Sequence, residues 1–278
     1  MTDIMNAVLL GIVEGLTEFL PVSSTAHLRI TQALLGMRLD DEYWKMFSIV
    51  IQLGAILAVV VYFRERILNL TKSYRLQKNH PITLVMVAFV VTAIPAFLMS
   101  KLIGKHLENP FIIGISLLIG GIAMGIIDRV FSKGATDAIP KMTLTQSVWI
   151  GVVQILSAVF PGTSRSMSTI AGGQIVGLTR TTALEFSFFL SIPTMFAATA
   201  YDLLKTLLHS GDESAPLVMG GHEWAVLFTG FTVSFFVGWL VIAWFMNWVR
   251  TKGFTVFAIY RVIVGSAVLW AASAGKLG

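Results

Sequence analysis

The sequence predicts an all-α integral membrane protein with six spanning helices plus two re-entrant helical hairpins, arranged as an inverted-topology repeat. Three observations carry this. Of 278 residues, 55% belong to the hydrophobic set before 24 glycines are counted, 13% are charged, and mean hydropathy is +0.79. Soluble domains hold roughly 45–50% apolar residues including glycine and about 25% charged, and a soluble fold of this length cannot hide so much apolar surface beneath a polar skin. The apolar residues also run continuously instead of alternating, which excludes a transmembrane barrel. Finally, GIVEGLTEFLPVSSTAHLRI (11–30) overlays GVVQILSAVFPGTSRSMSTI (151–170) at an offset of 140 residues.

Taken in order, the first apolar stretch, 4–36, is interrupted by Pro21. It has no basic leader and carries Glu14 where a signal peptide would be apolar, so it is expected to belong to the mature fold. Spans are predicted at 45–63, 82–101 and 111–130. The stretch 143–178 is broken by Pro161-Gly162, and spans follow at 183–205, 222–248 and 254–274. Irregular backbone at membrane depth survives only where protein buries it or water reaches it, so both broken stretches read as helix, polar turn, helix.

Similarity extends past the hairpins. Phe47-Ser48 matches Phe186-Ser187 and Tyr62 matches Tyr201, at offset 139. The chain therefore reads as one polytopic domain, 1–278, made of repeat 1 (1–131) and repeat 2 (141–278), each a hairpin plus three spans. Three is odd, so the second copy is expected to enter the membrane from the opposite side. Eleven basic residues (Arg64, Arg66, Lys72, Arg75, Lys78, Arg129, Lys133, Lys141, Arg180, Arg250 and Lys252) fall on one side. Seven (Arg29, Arg38, Lys45, Lys101, Lys105, Lys205 and Lys276) fall on the other. The positive-inside rule then places both termini outside. The net charge of +5 is read as topological and directed at lipid headgroups, not at nucleic acid. With no cysteine, thiolate metal sites and thiol chemistry are excluded.

Glu14 and Glu18 lie four apart on the first half-helix, on one face. Each carboxylate costs roughly 2.5–3.5 kcal/mol or more at membrane depth unless paired, hydrated or protonated. Their mutual repulsion suggests an intervening cation or a shared proton. After Pro21 come Ser23, Ser24, Thr25 and His27, where the second half-helix should begin. Hydroxyls there cap orphan amides, and the same helix start offers N–H groups and a positive dipole end to an anion. His27 beside two carboxylates suits an acid or base. The second hairpin supplies Ser164, Arg165 and Ser166 at the matching place. A guanidinium fork fits phosphate oxygens. The second copy has Gln154 and Ala158 in place of the acids, so one half carries carboxylates and the other the cation, as a single composite site requires.

Glu185, Asp202 and Arg261 also fall in or near spans, where lining a cavity and structural pairing are equally open readings. Gly11-xxx-Gly15 and Gly121-xxx-Gly125 are spacings that let helices approach closely, and Trp239, Trp244 and Trp248 are expected near the interfaces. The inventory points to a substrate anionic at one end and apolar at the other, or to a small anion in transit. Phosphoryl transfer fits, since it demands positioning and charge neutralisation above all. Glu14 and Glu18 could hold a divalent cation, Mg or Ca, through oxygen ligands. Either Ser24 or a water attacks phosphorus. The rival reading is a lipid or small-anion transporter or flippase built on the same repeat; a structural scaffold leaves the acids and the arginine unexplained.

EGLTEFLPVSSTAH (14–27) with PGTSRS (161–166), together with EFSFFLSIP (185–193) and FAIYR (257–261), resembles the undecaprenyl-diphosphate phosphatase family of the bacitracin-resistance type, over nearly the full chain. The resemblance implies hydrolysis of undecaprenyl diphosphate to the monophosphate, recycling the carrier lipid for cell-wall synthesis. It also implies divalent-cation dependence and a site on the outer side of the bacterial cytoplasmic membrane. Position by position, Glu14 and Glu18 match the family's essential acids, Ser24 its proposed nucleophile with Thr25 and His27 beside it, and Arg165 its phosphate-binding arginine. Ala26 stands where glycine is frequent. Expected partners are the polyprenyl diphosphate and membrane lipids, with a homodimer left open and no nucleic acid.

Overall fold

The computed structural model describes residues 2–39, 41–74, 77, 79–99, 109–209 and 219–275. The described chain is helical: α1 (Thr2–Thr17), α2 (Ser24–Leu34), α3 (Glu42–Tyr62), α4 (Arg64–Lys72), α5 (Pro81–Leu98), α6 (Pro110–Val130), α7 (Leu144–Val159), α8 (Arg165–Ile175), α9 (Arg180–His209), α10 (Gly221–Lys252) and α11 (Thr255–Ser273). Six of these, α3, α5, α6, α9, α10 and α11, are long and apolar enough to cross a membrane, and they coincide with the six predicted spans. Arg75, Lys78, Lys101, Lys105 and Lys276, counted in the charge balance, lie outside the described residues.

Local chemistry sets the helix starts. The Asp41 carboxylate accepts from the Tyr43 and Trp44 amides at 2.9 and 3.2 Å and opens α3. Asn109 does the same for Phe111 and Ile112 ahead of Pro110 at the first position of α6. Thr143 and Gln146 form a reciprocal capping box at α7. Where the sequence suggests only a loop after the first span, α4 forms, because hydrogen bonding runs on from Phe63 N–H to Val59 and from Ile67 N–H to Phe63. The linker between the halves is also anchored: Thr136 donates to Gly177 at 3.0 Å and accepts from Thr179 at 2.9 Å.

Glycine lets the helices touch backbone to backbone. A Cβ at Gly11 would sit 2.7 Å from the Gly230 carbonyl oxygen, and one at Gly15 2.8 Å from that of Ser234, so α1 lies flush on α10. Gly151 of α7 stands in the same relation to Ala88 of α5, at 2.6 Å. The hairpin helix of each half thus leans on a span of the other half. Gly121 meets Ala258 of α11 at 2.9 Å, whereas Gly125 makes only an ordinary contact, at 3.5 Å. The core fills with Phe19, Phe186, Phe188, Phe245 and Phe254, all fully buried. Trp239 and Trp244 are exposed, while Trp248 donates to the Gly253 carbonyl at 3.2 Å.

At one end of the bundle Asp128, 1% exposed, joins four elements. Its carboxylate accepts from Arg180 Nε at 2.7 Å, Gln174 at 3.2 Å and the Phe254 amide at 3.0 Å. Asp128→Ala strips these three donors, and the Thr255 hydroxyl that also donates to it at 3.5 Å, of their acceptor, so it is expected to cost about 3 kcal/mol of stability, read as a fall in the thermal unfolding midpoint in detergent. A midpoint within a degree of the parent would contradict this role.

Candidate functional site

Two interruptions of helix face one another. The first runs from Glu18 to Ser23, between α1 and α2; the second from Phe160 to Ser164, between α7 and α8. Proline ends regular hydrogen bonding in each. Both close on a serine with left-handed backbone, Ser23 at φ 74° and Ser164 at φ 73°. From its proline to its left-handed serine the second break is one residue longer: Gly162, at φ 91°, is inserted where a Cβ would come within 2.6 Å of the Ile113 carbonyl oxygen. This corrects the register read from the sequence. The overlay pairs Ser24 with Ser164, whereas the backbone pairs Ser23 with Ser164 and Ser24 with Arg165, each the first residue of an eleven-residue helix.

Those two residues meet on one carboxylate. Ser24 Oγ donates to Glu18 Oε2 at 2.5 Å, and Arg165 Nη2 donates to Glu18 Oε1 at 3.2 Å. The pair is secluded, its side chains 12% exposed for Arg165 and 7% for Glu18. Glu18 keeps its place on the face of Glu14 because its amide still bonds the Glu14 carbonyl at 2.9 Å. Arg165 Nη1 is held by the Ser187 carbonyl at 3.1 Å. Ser166 Oγ donates to the Leu20 carbonyl at 2.9 Å, stitching the second helix start to the first turn, and Ser164 Oγ caps the Met167 amide at 3.3 Å.

Two buried polar groups of opposite kind flank this contact without hydrogen-bond partners among the described residues: both carboxylate oxygens of Glu14, itself 0% exposed, and Nε of Arg165. Unsatisfied groups at such depth cost roughly 1–3 kcal/mol each, more when charged. They are the groups a cation and an anion would complete.

His27 stands on α2 with Nδ1 2.8 Å from the Ser23 carbonyl and Nε2 2.7 Å from the Tyr260 hydroxyl, its ring stacked on Tyr260. A carbonyl only accepts, so Nδ1 carries the proton and Nε2 accepts from Tyr260. Thr25 is exposed. Of the sequence candidates, Glu14, Glu18, Ser23, Ser24, His27, Ser164, Arg165 and Ser166 are gathered at the breaks, while Thr25 turns outward. Glu185 pairs instead with Arg66 of α4, and Asp202 is exposed on α9. Sequence reasoning missed Tyr260, Ser187 and the part played by Arg261, whose guanidinium reaches Pro21 and Gly162, one residue in each break. FAIYR contained two of them, but nothing in the spacing tied that segment to the hairpins.

The profile of the family described as "Bacitracin resistance protein BacA" matches residues 7–267, which include both breaks. The chain belongs to the BacA family. Among its relatives, a protein of Koribacter versatilis named undecaprenyl-diphosphatase is 60% identical, covering 98% of this chain and 99% of that one. Proteins of the same name from Persephonella marina and Aquifex aeolicus are 44% and 42% identical, each over 94% of this chain and at least 95% of theirs. In this BacA chain the left-handed Ser23 makes no side-chain capping bond. Ser23→Gly is therefore expected to raise stability by about 0.5–1 kcal/mol, relieving a conformation that costs an L-residue 1–2 kcal/mol. Thermal unfolding checks it; a lowered midpoint would show that the hydroxyl carries an interaction of its own.

Proposed function

We propose that the chain hydrolyses undecaprenyl diphosphate to undecaprenyl phosphate and inorganic phosphate, recycling the carrier lipid for cell-wall synthesis. The observation that carries this is Ser24 donating to Glu18 at 2.5 Å, one turn from an unpartnered Glu14 and beside Arg165. A carrier needs groups that bind; an activated hydroxyl facing a base is the arrangement of a nucleophile. The name shared by the relatives points the same way.

In this mechanism Glu18 Oε2 takes the Ser24 proton as Oγ bonds to the terminal phosphorus. The bond from that phosphorus to the bridging oxygen breaks, and the lipid monophosphate leaves with the electron pair. Arg165, already aimed at this point, neutralises charge on the equatorial oxygens through its free Nε–H, with the start of α8 adding amide N–H groups. Glu18 passes that proton to the departing lipid monophosphate, takes a proton from water as the water oxygen bonds to the phosphoserine phosphorus, and returns it to Ser24 Oγ as the bond from phosphorus to Oγ breaks, freeing phosphate. His27, held by Ser23 and Tyr260, is placed to exchange protons at the edge of the site.

A divalent cation, Mg or Ca, fits the donor set in a limited way. Glu18 spends both oxygens on Ser24 and Arg165, whereas Glu14 has both free. Among the described residues no group of three acidic or histidine side chains could hold a metal by itself. Glu14, with Glu18 alongside, would hold the ion, and the diphosphate and water would supply the remaining oxygens, as is usual for Mg. When bound, the cation would offset the charge of the diphosphate.

The two hairpins come from one chain, so the site does not require a homodimer. We place it on the outer side of the bacterial cytoplasmic membrane, following the charge balance, with halves 1–131 and 141–278 as inverted copies whose hairpins re-enter the membrane. The exchanged packing of α1 on α10 and α7 on α5 supports the duplication.

Purified protein in detergent, with no second compartment, is expected to release phosphate from a polyprenyl diphosphate when Mg or Ca is added and to stop on chelation. Release unaffected by chelation would remove the cation, and no release under any condition would favour transport. Arg165→Ala and Glu18→Ala are each expected to lower turnover at least about 100-fold; near-normal rates in both would misplace the site. Ser24→Ala should abolish turnover if serine is phosphorylated, and substantial residual activity would assign the attack to water.

A further inference from the structure

Arg261 is the largest fully buried side chain among the described residues, 0% exposed, and it lies on α11, outside both hairpins. Its three hydrogen bonds go to backbone carbonyls: Nη1 to Pro21 at 3.1 Å, and Nη2 to Gly162 at 3.0 Å and Ser116 at 3.1 Å. Pro21 precedes Ser24 by three residues and Gly162 precedes Arg165 by three. In the register of the two left-handed serines, these carbonyls are equivalents. One planar guanidinium therefore grips the same atom in both breaks, just upstream of the two residues that share Glu18. Breaking a helix frees carbonyls that have no water to accept from at apolar depth. A rigid fork of donors satisfies them and sets their separation at the same time.

Room for the fork is built into α6. A Cβ at Gly120 would fall 2.3 Å from Arg261 Nη2, and one at Gly121 would fall 2.9 Å from Arg261 Cβ. The sequence reads Gly121 as helix packing and does not single out Gly120. Gly121 does serve that end, whereas the nearest atoms to Gly120 all belong to the Arg261 side chain.

We propose that Arg261 is a positioning residue for phosphoryl transfer: by clamping Pro21 and Gly162 it sets the distance between Ser24–Glu18 and Arg165, and so acts on turnover without touching substrate. This rests on the phosphatase reading, and the experiment separates the two. Phosphate release from a polyprenyl diphosphate is measured with the full-length protein in detergent, for the parent, Arg261→Lys and Gly120→Ala, with thermal unfolding alongside. Lysine keeps the charge but cannot span three carbonyls. Alanine at 120 displaces the tip of a flexible side chain, which the fold can accommodate, and drives Nη2 off its acceptors. Both variants are expected to lose at least about 30-fold in kcat with KM within about threefold and with folded protein still present at the assay temperature. Arg261→Lys combined with Arg165→Lys is expected to cost less than the product of the single losses, because both disturb the same geometry. Parent-like kcat in either folded variant would overturn the proposal. So would activity loss that merely follows the unfolded fraction, or a double variant whose losses multiply. Absence of turnover in the parent would instead remove the phosphatase reading.

Discussion

The Glu18 carboxylate accepts from Ser24 at one oxygen and from Arg165 at the other, and seclusion makes that arrangement hard to relinquish. Deleting one partner of a buried ion pair typically costs 3–5 kcal/mol, because the remaining charge has no other means of solvation. Around this contact both interruptions must be held open and aligned, so the surrounding structure is arranged to satisfy backbone that helices would otherwise satisfy themselves. Ser166 takes the Leu20 carbonyl, Arg261 takes Pro21 and Gly162, and Ser164 caps α8. Each of these bonds ties one half of the chain to the other or fixes a helix start that faces the other half.

The same contact divides labour between two like-spaced acids. Glu18 is fully engaged, one oxygen on Ser24 and the other on Arg165. Glu14, one turn earlier, has no donor among the described residues. Two carboxylates of similar sequence context thus differ because only one lies level with the second hairpin. The absence of both acids from the second copy, where Gln154 and Ala158 stand, removes competitors for Arg165.

Much of this was legible in the residues. Pro21 and Pro161-Gly162 interrupt apolar runs, and they do so at the observed breaks. Glu14, Glu18 and Arg165 are charges with no place in an apolar stretch, and they converge. What could not be read was the register. An overlay follows proline and small residues, but the extra residue at Gly162 shifts the helix start by one, so Ser24 and Arg165 become the true counterparts. Long-range partners were hidden for a similar reason. Arg261 and Tyr260 sit more than 230 residues from their acceptors, Pro21 in the first break and His27 on α2, and no local periodicity links them. The helix α4 was missed because its polar sequence satisfies the pattern of a loop equally well.

The flush seating of Gly11 and Gly15 on Gly230 and Ser234 bears on how the protein comes to be made. Helix α1 rests on α10, which is synthesised some two hundred residues later. Until α10 arrives, α1 exposes a glycine-lined groove and two uncompensated acids to whatever surrounds it. Insertion of this chain is thus a problem of waiting: α1 needs temporary shelter, from the translocation machinery or from water at the bilayer margin, and the two breaks can be held together only after α10 and α11 have been made.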